Sequence, residues 1–376
     1  MVCHITLLIR KLEIGGAERQ VLALARNMPR DRYKMSILTF YPGGELWQEA
    51  VDAGIEISCL NKNGRWDLIG FLRRLIQALG NQNSDILHGF QGPPNLFALA
   101  AKVFRPKMKV AWGIRDSNVD LRQYDISRRL ISTAAAKLSR YPDLIIANSY
   151  AGAKIASRNG YDQKKLEIVH NGIDTEKFSP GLATLKDILG LSPDTPLIGL
   201  AARFDPKKDH AGFLTAAGKL SQTNDQVQYV LIGGEGKTEY VQSLKVLADD
   251  LKISHKVHWA GKITDMAGAY NSLDILTVSS AFGEGFPNAI GEAMSCGIPC
   301  VATDTGDSAL IVGEHGQIVP PGEPNATVAA WQEILNMPQD ERALLSKKAR
   351  DQINKYFSIE TMTDASTAVY DEAMRR

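Results

Sequence analysis

The stretch Asp274-Ile275-Leu276-Thr277-Val278-Ser279-Ser280-Ala281-Phe282-Gly283-Glu284-Gly285-Phe286-Pro287-Asn288-Ala289-Ile290-Gly291-Glu292-Ala293-Met294-Ser295-Cys296-Gly297-Ile298-Pro299-Cys300-Val301-Ala302 decides how the rest of the chain is read. A short apolar run, Ile275–Val278, leads into the polar loop Ser279–Gly283. An amphipathic stretch, Asn288–Cys296, follows, and then a second apolar run, Pro299–Ala302. Pro287 suits the first turn of a helix, where its missing N–H is not needed, and Gly297 suits a helix end. Strand, loop, helix and strand in this order form a βαβ unit on a parallel sheet.

The same alternation runs outward in both directions. In the second half, strands are expected at Leu197–Ala201, Gln228–Ile232 and Val257–Ala260, with helices near Ala211–Leu220, Thr238–Leu251 and Asp265–Ser272. In the first half, strands are expected at Ile5–Ile9, Lys34–Phe40, Ile55–Leu60, Ile86–His88, Val110–Ile114, Leu144–Ala147 and Glu167–Val169. Helices are expected between them at Ala17–Asn27, Leu46–Ala53, Leu68–Leu79, Leu96–Val103 and Ser127–Ser139. The Pro- and Gly-containing segment Phe178–Pro196 reads as a linker around one short helix. The fold class predicted is α/β, with two Rossmann-like, doubly wound domains facing across a cleft. The first covers residues 1–180 and the second residues 185–357, and a last helix at about 359–376 packs back on the first. Ligands of such sheets bind at the carboxyl ends of the strands, which puts the expected site in the cleft.

Composition is that of an ordinary globular chain of two domains: 376 residues, 44% hydrophobic and 23% charged, with a formal net charge of +1. That balance argues against a nucleic-acid binder. The charge is uneven, however. Residues 1–180 carry 26 Lys and Arg against 17 Asp and Glu, a balance of +9, while the remainder carries 17 against 25, a balance of −8. Either this is incidental surface patterning, or the basic half meets an anionic partner such as a membrane surface or a diphosphate-linked acceptor. The stretch from Trp66 to Leu79 divides the same way, between a core helix with one solvated face and a membrane-binding segment. Cys3, Cys59, Cys296 and Cys300 form no CxxC pair, so zinc is not expected, and neither the histidines nor any Asp pair has metal-ligand spacing. No signal peptide or membrane span is read, and the expected location is cytoplasmic, with peripheral contact to the membrane face.

Four places could carry chemistry. In the stretch quoted above, Glu284 lies on a loop before a helix and Glu292 inside that helix. The N–H groups at the helix start, near Asn288 and Ala289, favour a phosphate or sugar hydroxyls, and a carboxylate one to two turns in can hold a ribose diol. The plainer reading is an acidic first turn with one solvated Glu. In Ala202-Arg203-Phe204-Asp205-Pro206-Lys207-Lys208-Asp209-His210, Arg203 and Lys208 follow a strand, where two cations could clamp a diphosphate; a merely basic turn is the alternative. The turn Gly15-Gly16-Ala17-Glu18 would let backbone approach a phosphate, although GxGxxG is absent and an ordinary strand-to-helix turn explains it as well. Trp112-Gly113-Ile114-Arg115-Asp116-Ser117-Asn118 places polar residues at another strand end, as an ordinary polar loop also would.

Taken in order, these residues resemble a family-4 glycosyltransferase of the GT-B fold. Asn171-Gly172-Ile173-Asp174, Leu231-Ile232-Gly233-Gly234-Glu235-Gly236, Val257-His258-Trp259-Ala260-Gly261 and Pro299-Cys300-Val301-Ala302-Thr303-Asp304 carry the resemblance further. It implies a retaining, metal-independent transfer of a hexose or N-acetylhexosamine, without a cofactor. The donor implied is a nucleotide-diphosphate sugar (UDP- or GDP-linked). The acceptor implied is a glycan or a polyprenyl-diphosphate-linked saccharide in surface polysaccharide assembly, such as lipopolysaccharide. Arg203 and Lys208 would bind the diphosphate and Glu292 the ribose. Glu284 and the backbone from Gly285, Phe286 and Pro287 to Asn288 and Ala289 would hold the sugar. Lys262 and Ile263 would lie near the base, and Gly15, Gly16 and Gly234 would line the substrate site. Many relatives have a histidine near Arg115; this chain has none, so Arg115 or Asp116 takes part of that role, or the departing phosphate does the work alone. An epimerase or hydrolase of the same fold, or a non-catalytic nucleotide-sugar-binding subunit, are the other readings.

Overall fold

The computed structural model describes residues 2–115, 133–234 and 236–375. The chain divides into two compact units: Met1–Gly172 together with Ile359–Arg376, and Ile173–Ser358. Asp116, Ser117, Asn118, Glu235 and residues 127–132 of the helix expected at Ser127–Ser139 lie outside the described residues, while residues 133–138 of it are helical.

The first unit is a seven-stranded sheet of β1 (Cys3–Ile9), β2 (Tyr33–Thr39), β3 (Glu56–Cys59), β4 (Ile86–Phe90), β5 (Lys109–Ile114), β6 (Leu144–Ala147) and β7 (Leu166–Ile168). The spatial order is β3-β2-β1-β4-β5-β6-β7, with parallel neighbours throughout. On β1, Ile5, Leu7 and Ile9 point into one core layer and Leu8 into the other, as period-two geometry requires. Helices cover both faces, which is why the central strands read as nearly unbroken apolar runs. The helix Gly92–Phe104 starts four residues before its apolar periodicity does, because Pro93 and Pro94 occupy its first turn, where no N–H donor is required.

The last helix, Ile359–Arg375, belongs to the first unit. Its Met362, Tyr370 and Ala373 are buried in the same layer as Ile5 and Leu7. The Tyr33 hydroxyl donates to Asp371, and Arg32 pairs with the same carboxylate at 2.5 Å. Where the chain leaves this unit, Gln20 clamps Gly172 with two hydrogen bonds of 2.9 Å, one to its N–H and one to its carbonyl. A Cβ on Gly172 would stand 2.9 Å from Ile359 Cα, so only glycine lets the chain pass there.

The second unit is a six-stranded parallel sheet of β8 (Leu197–Ala201), β9 (Gln228–Ile232), β10 (Val257–Gly261), β11 (Ile275–Val278), β12 (Cys300–Thr303) and β13 (Gln317–Val319). Its order is β10-β9-β8-β11-β12-β13. Strand β13 is absent from the sequence reading: three residues between Gly316 and Pro320 carry no measurable period. Trp331 anchors the fully buried side of this unit, its indole N–H donating to Thr277 Oγ1 at 2.9 Å.

In each sheet the strand order reverses once, at β1/β4 in the first unit and β8/β11 in the second. The loops leaving the two strands at such a point run in opposite directions and open a crevice at the carboxyl ends. Among the described residues no helix is long and apolar enough to cross a membrane.

Candidate functional site

The loops after β8 and β11 flank the reversal in the second unit, and they carry Arg203, Lys208 and Glu284. Two aspartates shape the first loop. Asp205 Oδ1 accepts from the Lys207 N–H at 3.0 Å and starts a short turn, Pro206–Lys208. Asp209, at φ +47°, then caps the helix His210–Leu220 by accepting from the Gly212 N–H at 2.9 Å. The second loop is stapled to the first. The Ser279 hydroxyl donates to the Lys208 carbonyl at 2.7 Å, and the Ala281 N–H donates to the Lys207 carbonyl at 2.8 Å.

This stapling brings Lys208 Nζ onto Glu284 Oε1, where the two form a salt bridge. The Ser280 hydroxyl donates to the same oxygen at 2.5 Å. Glu284 is buried, and its backbone is held from the far side by Gly306, where a Cβ would stand 2.5 Å from the Glu284 carbonyl oxygen. Thr303 fixes the approach to this loop, donating to the Ser280 carbonyl at 2.7 Å. By contrast, the Arg203 side chain is 71% exposed and, among the described residues, tied at 3.2 Å to Asp205. An exposed pair of that kind contributes about 0–1 kcal/mol to stability, so the guanidinium can be redirected to a ligand at little cost.

The helix Asn288–Ser295 begins directly after this loop, with Pro287 at its N-cap and no side chain capping it. The Ile290 N–H donates to the Pro287 carbonyl at 3.1 Å, and the helix start carries the positive end of the helix dipole. Phe286 is buried against Phe357 with ring centroids 5.4 Å apart, so only its backbone can meet a ligand. Within the helix, Glu292 Oε2 accepts from the Tyr270 hydroxyl at 2.8 Å. Burial first, and then the Glu292 charge, push the Tyr270 hydroxyl well above its usual range, so it stays protonated and keeps donating. Tyr270 was not legible as a site residue, since nothing in its own helix Met266–Asn271 marks it.

Gly234, Lys262 and Ile263 follow β9 and β10. The Gly233 N–H donates to the Gly261 carbonyl at 2.9 Å and ties these two strand ends together. Gly233 is confined, with a virtual Cβ 2.0 Å from the Ala202 oxygen, whereas a Cβ on Gly234 would meet nothing within 4 Å. Lys262 is exposed and Ile263 half-buried on the core. Phe204 stacks between His210 and Trp259, at 4.8 and 5.9 Å. Burial pushes His210 down to about 4, so it carries no proton at neutral pH.

Gly15, Gly16 and Arg115 belong to the first unit. Gly15 caps the helix Gly16–Asn27 in an extended conformation, φ −153°, which any residue could adopt. Its missing Cβ serves another end: an added Cβ would lie 2.3 Å from a Glu18 carboxylate oxygen. The anion nearest this helix start is thus the chain's own. Arg115 directly follows β5, where its Nη1 donates to Asn171 Oδ1 at 3.0 Å and its guanidinium carbon stands 4.7 Å from the Phe90 ring centroid. Asp116 lies outside the described residues.

Comparison with known proteins adds the following. The family model described as Glycosyltransferase Family 4 matches residues 14–177, and that described as Glycosyl transferases group 1 matches residues 183–352. Similar sequences include the D-inositol 3-phosphate glycosyltransferase of Mycobacterium marinum, 29% identical over 240 residues, which cover 62% of this chain and 50% of that protein. The protein of the same name from Mycobacterium tuberculosis is 29% identical over 238 residues, covering 61% of this chain and 48% of that protein. The chain spans about half the length of the curated relatives it matches. Anabaena HepE in complex with UDP and glucose superimposes with a TM-score of 0.85 at 19% identity, covering 98% of this chain and 100% of that one. The sucrose-phosphate synthase of Thermosynechococcus elongatus gives 0.79 at 18% identity, covering 99% of each. At such identities the likeness establishes the fold, GT-B, and not the reaction.

Proposed function

Since this chain belongs to the family-4 glycosyltransferases, we propose that it moves a hexose or N-acetylhexosamine from a nucleotide-diphosphate sugar to a saccharide acceptor, with retention at the anomeric carbon. The second unit takes the donor and the first unit the acceptor. The observation that carries this reading is the assembly of Lys208, Ser280 and Glu284 at the β8/β11 reversal, beside an uncapped helix start. A departing diphosphate needs positive charge placed in advance, and Lys208, the redirectable Arg203 and the helix N-terminus supply it without a metal. UDP is the favoured nucleotide, because HepE was solved with UDP and glucose. Glu292, steadied by Tyr270, suits a ribose diol.

Glu284 is better suited to binding the donor sugar than to attacking it. Its Oε1 is already engaged by a cation and a hydroxyl, which withdraw the electron density a nucleophile would use. We therefore favour departure of the phosphate on the face by which the acceptor enters, with the phosphate oxygen receiving the acceptor's proton.

The test is a thermal-shift panel of nucleoside-diphosphate sugars on the full chain, followed by product analysis with and without saccharide acceptors, in the presence of a chelator. A donor present at about 100 times its Kd stabilises the folded chain by about 2.7 kcal/mol, a readily measured shift. Transfer that requires an acceptor, retains configuration and survives chelation is expected. Conversion at full rate without any acceptor would instead identify an epimerase or hydrolase.

We also propose peripheral contact with an anionic membrane face, through which a lipid-linked acceptor in surface polysaccharide assembly would be reached. Phe71, Leu75 and Leu79 bury one face of the helix Ile69–Gln82, but Trp66 and Ile69 stand 84% and 80% exposed next to Arg65. Co-sedimentation with phosphatidylglycerol vesicles is expected at low salt and should weaken as salt rises. Failure to bind at low salt rules this contact out.

A further inference from the structure

Among the described residues Arg115 is a cation with no anion paired to it. Its Nη1 donates to Asn171, and its guanidinium lies over Phe90. Behind Phe90 stands His88, fully buried, with ring centroids 4.3 Å apart and Nδ1 2.7 Å from the Tyr370 hydroxyl. Arg115 Nε and His88 Nε2 are both buried without a hydrogen-bond partner. Among the described residues no carboxylate pairs with Arg115.

None of these neighbours can provide the missing charge. Burial, and then Arg115 itself, hold His88 well below its usual range, so it is neutral. Burial pushes the Tyr370 hydroxyl upward, so it is neutral as well. Burial pulls Arg115 down only to about 10, and it remains a cation at neutral pH. Buried charges in folded proteins are normally paired, because desolvation is otherwise uncompensated. Among the described residues compensation comes from an amide oxygen and an aromatic face. The residue as a whole retains some exposure, and its Nε–Nη2 edge has no acceptor among the described residues. That edge is the one on which a guanidinium meets a two-oxygen anion through parallel hydrogen bonds.

We propose that Arg115 anchors an anion subsite in the first unit that takes the carboxylate or phosphate of an acidic saccharide. The proposal rests on the acceptor role assigned above to that unit, and it narrows the acceptor to one carrying negative charge. The site adds selectivity: a neutral sugar leaves the cation unpaired, while an acidic one completes it.

The test uses the full chain and calorimetric titration. UDP is titrated first. Glucuronate, glucose 6-phosphate and glucose are then titrated with UDP saturating, so that the cations of the second unit are occupied. At least one acidic sugar is expected to bind about tenfold or more tightly than glucose, as a charge-assisted pair implies. The advantage should vanish in Arg115→Gln and persist in part in Arg115→Lys. Preference for glucuronate identifies a carboxylate ligand, and preference for glucose 6-phosphate a phosphate. Equal binding of all three sugars, or an advantage that survives Arg115→Gln, overturns the proposal. Absence of UDP binding would overturn the donor reading instead, and the sugars are then titrated without it. A second measurement is independent of sugar binding. Removing an unpaired cation should raise the melting temperature of Arg115→Gln by about 2–4 °C. A lower melting temperature, or failure to fold, would make Arg115 a structural support and overturn the proposal.

Discussion

Lys208→Ala is expected to lower kcat by about a hundred- to a thousandfold, the usual loss when one preorganised charge-stabilising group is removed. Lys208 is the cation that the structure places on Glu284, at the strand reversal where a diphosphate would depart. Its charge would matter more as the bond to the sugar breaks than when the donor first binds, so kcat should fall further than donor affinity. The substitution also leaves Glu284 buried with, among the described residues, the Ser280 hydroxyl as its remaining side-chain partner, so some loss of stability should accompany it. Steady-state kinetics together with a melting curve separate the two effects. A folded Lys208→Ala protein with undiminished kcat would remove Lys208 from the leaving-group machinery. Lys208→Arg retains the charge and should recover part of the rate.

Glu292→Ala is expected to act mainly on the donor. A hydrogen bond to a charged group contributes about 1.5–3 kcal/mol, which corresponds to roughly a ten- to hundredfold loss in kcat/KM. If Glu292 holds the ribose, most of that loss should appear as a raised donor KM, and UDP should bind more weakly by a similar factor. The same change strands the buried Tyr270 hydroxyl, which now donates to Glu292 at 2.8 Å. An unsatisfied buried donor costs about 1–3 kcal/mol, so the melting temperature should fall as well. Tyr270→Phe separates the two roles. It removes the steadying bond and leaves the carboxylate, so donor KM should rise only severalfold with kcat unchanged. Unaltered UDP affinity in Glu292→Ala would show that this residue does not meet the nucleotide.

The two carboxylates of the quoted stretch invite an acid–base reading when seen only in sequence. Their surroundings divide them. Glu284 is committed to Lys208 and Ser280, and Glu292 to Tyr270, so each belongs to a different polar group. Neither partnership could be read from spacing, because Lys208 lies 76 residues from Glu284 and Tyr270 lies 22 from Glu292. The paired glycines at 15 and 16 show the opposite case. They suggest room for a phosphate, and in the structure the flexible Glu18 carboxylate lies beside Gly15.

What the amino-acid order determines by itself is periodic and local. Alternating apolar runs and amphipathic helices establish two parallel-sheet units, and Pro287 and Gly297 mark the ends of the helix that follows Glu284. They also place Arg203, Lys208 and Arg115 after strands, since a ligand-binding strand end needs nothing beyond a run and the polar residues behind it. Strand β13 falls below that resolution, being too short to show a period. Tertiary structure alone decides which strand ends become neighbours. Because the order reverses at β8/β11, the loop of Lys208 meets the loop of Glu284, and the stapling by Ser279 and Ala281 sets the distance between their charges. It also leaves Arg115 among Asn171, Phe90, His88 and Tyr370 with no carboxylate beside it among the described residues. Whether a charge is paired depends on what packs around it in three dimensions, and that is a property of chain topology that no local pattern records.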